Sequence, residues 1–207
     1  MLQQQASGWQ GLTAMRQRAS RLGLGLAIWS GALAALTAAI FSGRSRAVDR
    51  GWSRRLGSRK RAGDRLIVVA KPVWVTVESA LAALCPGLST RERSAIVLAP
   101  ALAGLAGKIL KVRLPRGRPG LARLRSEGRE SFPSTHTAGL GSLALILARV
   151  VRLHGRARMP MALAATLTVA IALDRVHTRV HWPSDVLAGM LLAAAATDAA
   201  CLGTGLS

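Results

Sequence analysis

Six long apolar runs separated by arginine-rich segments are the feature that most constrains the fold of this 207-residue chain. The first run, 22–43, carries no charged residue. At about 1.5 Å per residue it is long enough to cross the roughly 30 Å hydrocarbon layer of a bilayer. The other runs cover 66–84, 94–110, 131–148, 159–173 and 183–202. We therefore predict an all-α, polytopic membrane bundle of about six transmembrane helices.

The same runs predict how the chain is divided. Residues 1–21 form a polar N-terminal segment, and residues 22–207 form a single membrane domain with a basic loop at 44–65. In the third run, small residues recur at every fourth position, which lets a neighbouring helix approach closely, although alanine is also simply common in this chain. These small residues are Ala99, Ala103 and Gly107.

The net charge restricts the partners of such a bundle. The chain has 29 Lys and Arg against 9 Asp and Glu, a formal charge of +20, yet half of its residues are hydrophobic. The basic residues lie almost entirely between the apolar runs, where anionic lipid headgroups and phosphates are the natural partners. We therefore expect the lipid bilayer and a lipid phosphate as partners, and no nucleic acid.

Two polar clusters at the ends of apolar runs have the composition of a phosphate site. Lys111 and Arg118 flank a Pro/Gly turn, where a lysine supplies a point charge and an arginine a planar fork for two phosphate oxygens. Ser134 and His136 begin the fourth run, where free backbone N–H groups favour an anion. Each cluster also has a simpler interpretation, because basic residues at helix ends snorkel to headgroups and Ser134 can be a plain helix cap.

A third cluster lies between the fifth and sixth runs, at residues 174–185. His181 and Asp185 are four residues apart across a helix start at Pro183, so the carboxylate can reach an imidazole N–H and hold one tautomer. A histidine oriented in this way presents its other nitrogen as a nucleophile or a base. Titratable residues at the ends of membrane spans are costly, which favours a functional site over a structural His–Asp pair.

Together the clusters resemble the signature of the type-2 phosphatidic acid phosphatase superfamily, which reads Lys-x6-Arg-Pro, Pro-Ser-Gly-His and Ser-Arg-x5-His-x3-Asp. The matching residues are Lys111 to Arg118-Pro119, then Pro133-Ser134-Thr135-His136, then Arg175, His181 and Asp185, all with the family spacing. The match spans 111–185, and three spaced motifs in order are far more specific than any one of them. The six-run layout agrees with the integral membrane branch of the family.

The resemblance implies a phosphatase that hydrolyses a lipid phosphate or diphosphate, either of an isoprenyl carrier or of a glycerophospholipid. It implies that His181 attacks phosphorus to form a phosphohistidine, that Asp185 orients it, and that His136 protonates the leaving oxygen. The phosphate-binding residues that it implies are Lys111, Arg118, Ser134, Thr135 and Arg175. We expect no metal and no cofactor, because Asp174 and Asp185 are the only carboxylates in these clusters, too few for a two-metal site.

Two departures from the family pattern favour an alternative. Thr135 replaces the usual glycine and loses freedom at positive φ, while Asp174 replaces a serine and can pair with Arg175 in competition with phosphate. The alternative is a non-catalytic, anionic-lipid-binding membrane protein that retains the phosphatase fold. A third unusual residue, Arg179, is a candidate contact for a second phosphate or a headgroup.

The chain is predicted to be a multi-pass cell-membrane protein, but its orientation is open. The three loops on the side of the motifs carry nine, seven and two Lys or Arg, against nine on the opposite side. The positive-inside tendency therefore places the motifs in the cytoplasm. The family resemblance instead implies a site facing the periplasm or a lumen.

Overall fold

The fold is a bundle of helices in a computed structural model that describes residues 2–56, 71–119, 129–155 and 159–206. The helices of these ranges are α1 (Leu2–Phe41), α2 (Arg46–Leu56), α3 (Pro72–Ala83), α4 (Thr90–Arg113), α5 (Thr135–Leu153), α6 (Met159–His177) and α7 (Pro183–Thr204). No strand forms within them, and an isolated antiparallel bridge joins Gly117 to Glu130. This confirms the predicted all-α class.

Length and composition single out four helices of the described ranges that can cross a membrane. They are Thr13–Phe41 within α1, Thr90–Arg113, Thr135–Leu153 and Pro183–Thr204, and Val73–Ala83 is a shorter apolar helix. Each of the six predicted runs contains a helix, so the predicted count of about six spans is approximate: residues 131–134 of the fourth run precede α5, and 66–70 of the second run lie outside the described residues. The multi-pass membrane character of the chain therefore follows from the helices themselves.

The helix boundaries follow from local sequence. A capping box starts α4, in which the Ser89 hydroxyl accepts from the Glu92 N–H and the Glu92 carboxylate accepts from the Ser89 N–H. Proline, which lacks an N–H and has a fixed φ, opens α7 at Pro183. At its other end α7 stops at Gly205, whose φ of 67° suits glycine.

The first loop differs from the prediction, because residues 46–56 of the expected basic loop 44–65 form the helix α2, while 57–65 lie outside the described residues. Burial of Asp49 against distant residues holds this helix on the bundle, as described below. The predicted polar segment 1–21 likewise continues without a break into the first span, since residues 2–41 contain no proline and form the single helix α1.

The packing of α7 at the centre of the bundle positions the site, because α7 contacts α1, α4 and α5. The small residues predicted to allow a close approach do so: Ala99 and Ala103 are buried, and a Cβ on Gly107 would come within 2.8 Å of Thr135 Cγ2. One end of the bundle, which we call the site end, collects the ends of α1, α4 and α6 and the starts of α5 and α7.

Candidate active site

Backbone hydrogen bonds join the three predicted clusters at the site end. The Ser134 N–H donates to the Asp185 carbonyl at 3.0 Å, and the His181 N–H donates to the Arg175 carbonyl at 3.1 Å. The Ser131 N–H donates to the Arg116 carbonyl at 2.7 Å, which ties the loop after α4 to the start of α5. Segments up to 69 residues apart in the chain therefore form one centre.

His181 lies in this centre and is fully buried. Its Nδ1 is 2.6 Å from the carbonyl oxygen of Ser131, and because a carbonyl oxygen only accepts, Nδ1 carries the proton. Nε2 then carries the lone pair, and it is buried without a hydrogen-bond partner among the described residues. An imidazole held in this way presents Nε2 as a nucleophile.

Electrostatics favour the neutral form of this imidazole. Burial lowers the pKa of His181, the charges of Lys111 and Arg118 lower it further, and Asp185 opposes them. A neutral ring keeps the Nε2 lone pair available at neutral pH.

Asp185 lies beside His181 but does not bond to it as expected. Its Oδ2 is 3.8 Å from Nδ1 of His181, too far for a hydrogen bond, and accepts instead from the Trp182 N–H at 2.9 Å. This bond caps α7, so the helix start fixes the carboxylate. The prediction that Asp185 holds the tautomer is therefore corrected: the Ser131 carbonyl does so, and Asp185 supplies a nearby negative charge.

Arg116 connects this carboxylate to the first loop. One guanidinium nitrogen, Nη1, donates to Oδ1 of Asp185 at 2.5 Å and to Ser184 Oγ at 2.8 Å. The other, Nη2, donates to Oδ2 of Asp49 at 2.7 Å. Asp49 is buried on α2 and also accepts from the backbone N–H and the hydroxyl of Ser184. A single arginine thus pairs with two buried carboxylates, which would be costly to bury unpaired.

The predicted phosphate-binding cations are held by backbone carbonyls of the site loops. Lys111 Nζ donates to the Glu130 carbonyl at 3.1 Å, and Arg118 Nη1 donates to the Val180 carbonyl at 2.8 Å. These bonds fix the positions of the two side chains at the site end. Both cations also act on His181, because their charges lower the pKa of its imidazole.

Arg175 is buried, with 1% of its surface exposed, and is paired as the sequence suggested. Its Nη2 and Nε donate to Oδ2 of Asp174 at 2.7 Å and 3.1 Å. Asp174 therefore occupies two of the guanidinium nitrogens. The Arg175 backbone carbonyl has a separate role, because it accepts from both Val180 and His181 and so anchors the loop that carries the histidine.

The start of α5 carries the remaining predicted residues. Ser134 is buried, and its hydroxyl lies 3.0 Å from Oγ1 of Thr137 in the first turn. His136 is buried in the same turn. Thr135 is the first helical residue and does not have a positive φ, so its backbone needs no glycine there. The expected loss of freedom at Thr135 is therefore wrong.

Sequence reasoning missed Arg116, Asp49, Ser184 and the Ser131 carbonyl. Arg116 is one of four basic residues between 111 and 118, with no spacing to separate it from the others. Asp49 carried a weak signal as an acidic residue inside a strongly basic segment, but nothing in the sequence identified its partner.

Comparison with known proteins identifies the family of the chain. The model of the PAP2 superfamily matches residues 94–202, just over half of the chain. The chain therefore belongs to the PAP2 superfamily. The matched residues include the three motifs that meet at the site end.

One curated protein and one solved structure are similar to this chain. Phosphatidylglycerophosphatase B of Bacillus subtilis (strain 168) is 31% identical over 93 residues, 42% of this chain and 46% of that protein, so the match spans less than half of the relative. The crystal structure of a transmembrane PAP2-type phosphatidylglycerolphosphate phosphatase from Bacillus subtilis has a TM-score of 0.57 and 22% identity. It covers 84% of this chain and 93% of that chain, which shows a shared fold.

Proposed function

We propose that the protein is a membrane-embedded phosphatase that hydrolyses a lipid phosphate or diphosphate through a phosphohistidine on His181. The observation that carries the proposal is the buried His181 ring, whose Nδ1 proton is held by the Ser131 carbonyl and whose Nε2 is buried without a hydrogen-bond partner among the described residues. The substrate is an isoprenyl-carrier diphosphate or a glycerophospholipid phosphate.

In the first step, the Nε2 lone pair attacks phosphorus while the bond from phosphorus to the leaving oxygen breaks. His136 donates its proton to that oxygen, so the alcohol or shorter phosphate leaves protonated. Lys111 and Arg118, together with backbone N–H groups in the first turn of α5 after Ser134, stabilise the charge on the phosphoryl oxygens. The nearby Asp185 carboxylate stabilises the positive charge that develops on the ring.

In the second step, water attacks the phosphohistidine. His136 now accepts a proton from that water, and the P–N bond breaks to release inorganic phosphate and return neutral His181. Arg175 contributes less to phosphate binding while Asp174 accepts from its Nε and Nη2, because these donors are then unavailable to a phosphate oxygen.

A mechanism without metal is supported by where the carboxylates of the centre are engaged. Asp49 and Asp185 are both bonded to Arg116, and Asp174 is bonded to Arg175. A divalent cation would have to displace these arginines to gain oxygen ligands.

A lipid substrate is supported by a groove of about 270 Å³ between α3, α4 and α5. Val97 and Leu105 line it and are exposed on the outer surface of the bundle, while Thr135 lines it beside the site. An apolar chain lying in this groove would hold its headgroup near the start of α5.

Phosphate release tests the proposal directly. The purified protein in neutral detergent with EDTA should release phosphate from an isoprenyl diphosphate, phosphatidate or phosphatidylglycerophosphate, and His181→Ala should release none. His154→Gln is the matched control, because His154 bonds to Glu92 at the opposite end of the bundle. Equal rates for wild type and His181→Ala would refute the mechanism. Rapid quenching should trap an acid-labile phosphoprotein in wild type alone.

The Asp174–Arg175 pair favours one alternative, a non-catalytic protein that binds anionic lipids. That function predicts binding of phosphatidate vesicles without phosphate release. Asp174→Ser separates the two, since it removes the carboxylate that accepts from Arg175 and should raise turnover only in an enzyme.

We also propose that the site faces the periplasm or a lumen. Because α7 starts at the site end and runs to Thr204, the C-terminus lies at the opposite end of the bundle. A C-terminal green fluorescent protein fusion should then fluoresce in the cytoplasm, and an alkaline phosphatase fusion should be inactive. The reverse pattern would place the site in the cytoplasm, as the basic loops suggest.

A further inference from the structure

A cavity of about 210 Å³, which we call the α2 cavity, lies between α2 and the two loops that carry Arg118 and His181. Its walls are Arg50, Ser53 and Arg54 of α2, together with Pro119, Arg179 and Trp182. None of these six residues has a role in the mechanism above, yet four of them are polar or charged.

The α2 cavity adjoins the phosphoryl pocket through the chain itself. Pro119 follows Arg118 and Trp182 follows His181, and successive Cα atoms are only about 3.8 Å apart. A second cavity of about 380 Å³ shares Arg50 and Trp182 with it and is also lined by Arg116, whose guanidinium lies 5.5 Å from the Trp182 ring centre. A group bound there would therefore lie next to the reacting phosphate.

Ser53 contributes a buried hydroxyl to the wall of the α2 cavity. It is only 7% exposed, and its Oγ is buried without a hydrogen-bond partner in the part of the chain that the structure describes. A buried hydroxyl without a partner is unfavourable, and such groups in native proteins are rare. An anionic oxygen in the cavity would supply the acceptor that this hydroxyl lacks.

The charges around Ser53 define the ligand as an anion. Arg50 and Arg54 are four residues apart on α2, so they share a face and repel each other unless an anion lies between them. The acidic residue of α2, Asp49, cannot neutralise them because Arg116 and Ser184 occupy its carboxylate. Guanidinium groups with a hydroxyl match the oxygens of a phosphate.

Arg179, which lines the α2 cavity, has a left-handed backbone conformation. Its φ of 55° lies in the left-handed region, where α6 ends with the Val180 N–H bonded to the Arg175 carbonyl. Glycine is the usual residue at this position of a helix end. The arginine is therefore strained relative to glycine, and strain of this kind is concentrated at functional sites.

We propose that the α2 cavity binds a second phosphate of the substrate, one joined to the scissile phosphate by an oxygen or by a short polyol. This rests on the proposed function, because it concerns the substrate of the same site. It assigns the preferred substrates to lipids with two phosphates, either a diphosphate or a phosphodiester that bears a terminal monoester. A lipid with a single phosphate, such as phosphatidate, would leave the cavity empty.

Matched substrates test the assignment. Dioctanoyl phosphatidylglycerophosphate and dioctanoyl phosphatidate have the same chains and differ in the second phosphate. For the Arg50→Gln/Arg54→Gln double variant, kcat/KM should fall at least tenfold more for the first substrate than for the second. Arg179→Gly should act in the same direction while relieving the strained φ, and Ser53→Ala should do so more weakly.

The control removes two charges outside the α2 cavity. Arg44 and Arg55 flank the lining arginines without lining the cavity, so Arg44→Gln/Arg55→Gln should change both substrates less than threefold. An equal fall for both substrates in the Arg50→Gln/Arg54→Gln variant, or no fall, would overturn the assignment.

Binding to the His181→Ala variant separates this inference from the proposed function. If the wild type releases no phosphate, the proposed function fails. Even then, the His181→Ala variant should bind phosphatidylglycerophosphate at least tenfold more tightly than phosphatidate. Equal Kd values for the two lipids would contradict the second-phosphate site. If phosphatidylglycerol added to phosphatidate micelles accelerates wild type but not the double variant, the cavity takes a neighbouring lipid and the assignment to the substrate is wrong.

Discussion

The carbonyl oxygen of Ser131 accepts the Nδ1 proton of His181 at 2.6 Å, so a backbone group sets the tautomer of the proposed nucleophile. A carbonyl cannot take up the proton, whereas a carboxylate at that position could share it. The ring therefore keeps its Nδ1 proton throughout the reaction, and phosphorylation at Nε2 produces a cation that Asp185 and the Ser131 carbonyl stabilise together.

The pH dependence of turnover should report this histidine. Because burial lowers the pKa of His181 more than Asp185 raises it, and Lys111 and Arg118 lower it further, the ring should stay neutral to a pH below its ordinary value of about 6.5. Rates should fall only when the pH drops through this lowered pKa. We expect the acid limb of kcat/KM below pH 6.5.

Lys111→Gln should move that limb to higher pH, since removal of a nearby cation makes protonation easier. Arg113→Gln removes an exposed charge from the same helix end and should leave the limb in place. Comparing all three proteins with one substrate cancels the titration of the substrate phosphate. A limb that does not move in Lys111→Gln would contradict the electrostatic account.

Arg116 should be needed for activity although it belongs to none of the three motifs. Arg116→Gln leaves Asp185 and Asp49 buried without a cation, a change that costs about 3–5 kcal/mol in buried pairs. We expect kcat/KM to fall at least a hundredfold. Arg116→Lys should recover only part of the rate, because one ammonium cannot reach both carboxylates in the geometry of the fork.

The partner variant Asp49→Asn checks whether this loss acts through the network. Asp49→Asn keeps the shape of the side chain and removes the negative charge that Arg116 contacts. The loss of kcat/KM should therefore be smaller than for Arg116→Gln. The Arg116→Gln/Asp49→Asn double variant should lose less activity than the two single losses multiplied together. Multiplicative losses would show that the two residues act independently.

Gly189 allows α7 to pack against the start of α5. A Cβ at this position would lie 2.6 Å from the Ser134 carbonyl oxygen and 3.1 Å from Thr137 Cβ. Gly189→Ala should therefore separate the two helix starts, destabilise the protein by about 1–3 kcal/mol and lower kcat more than tenfold. Gly203→Ala in the same helix meets open space and should be neutral or slightly stabilising in a thermal unfolding assay.

Thr135 and Gly107 should behave as a matched pair. A Cβ on Gly107 would meet Thr135 Cγ2 at 2.8 Å, and the β-branched threonine has little rotamer freedom to move aside. Gly107→Ala should lower the Tm, and Thr135→Gly in the same chain should recover part of the loss. Gly104→Ala, which meets nothing within 4 Å, is the control for thermal stability. No recovery in the double variant would contradict the proposed complementarity.

Much of the fold was predictable because membrane helices leave a strong signal. Runs of about twenty apolar residues specify a helix whatever their partners, since the backbone must satisfy its own hydrogen bonds in lipid. The helix α2 was not predictable for the opposite reason. Its stability on the bundle depends on Asp49 meeting Arg116, 67 residues further along the chain.

The parts of the site that consist of particular side chains could be predicted from the sequence. The parts that consist of backbone groups could not. His181, His136 and the cations stand at fixed spacings that sequence alone displays. The role of the Ser131 carbonyl has no signal, because every residue has a carbonyl. The conformation of Thr135 was mispredicted because a family glycine suggested a positive φ, whereas here the residue opens α5.

The bond between Asp49 and Arg116 determines how long a segment of the chain the site requires. A shortened chain cut to residues 94–202 would contain all three motifs and would still resemble a complete phosphatase by sequence. It would nevertheless lack α2, and Arg116 would have lost one of the two carboxylates that orient its fork. Any excised or grafted version of this centre must therefore start no later than residue 46, well before its first motif.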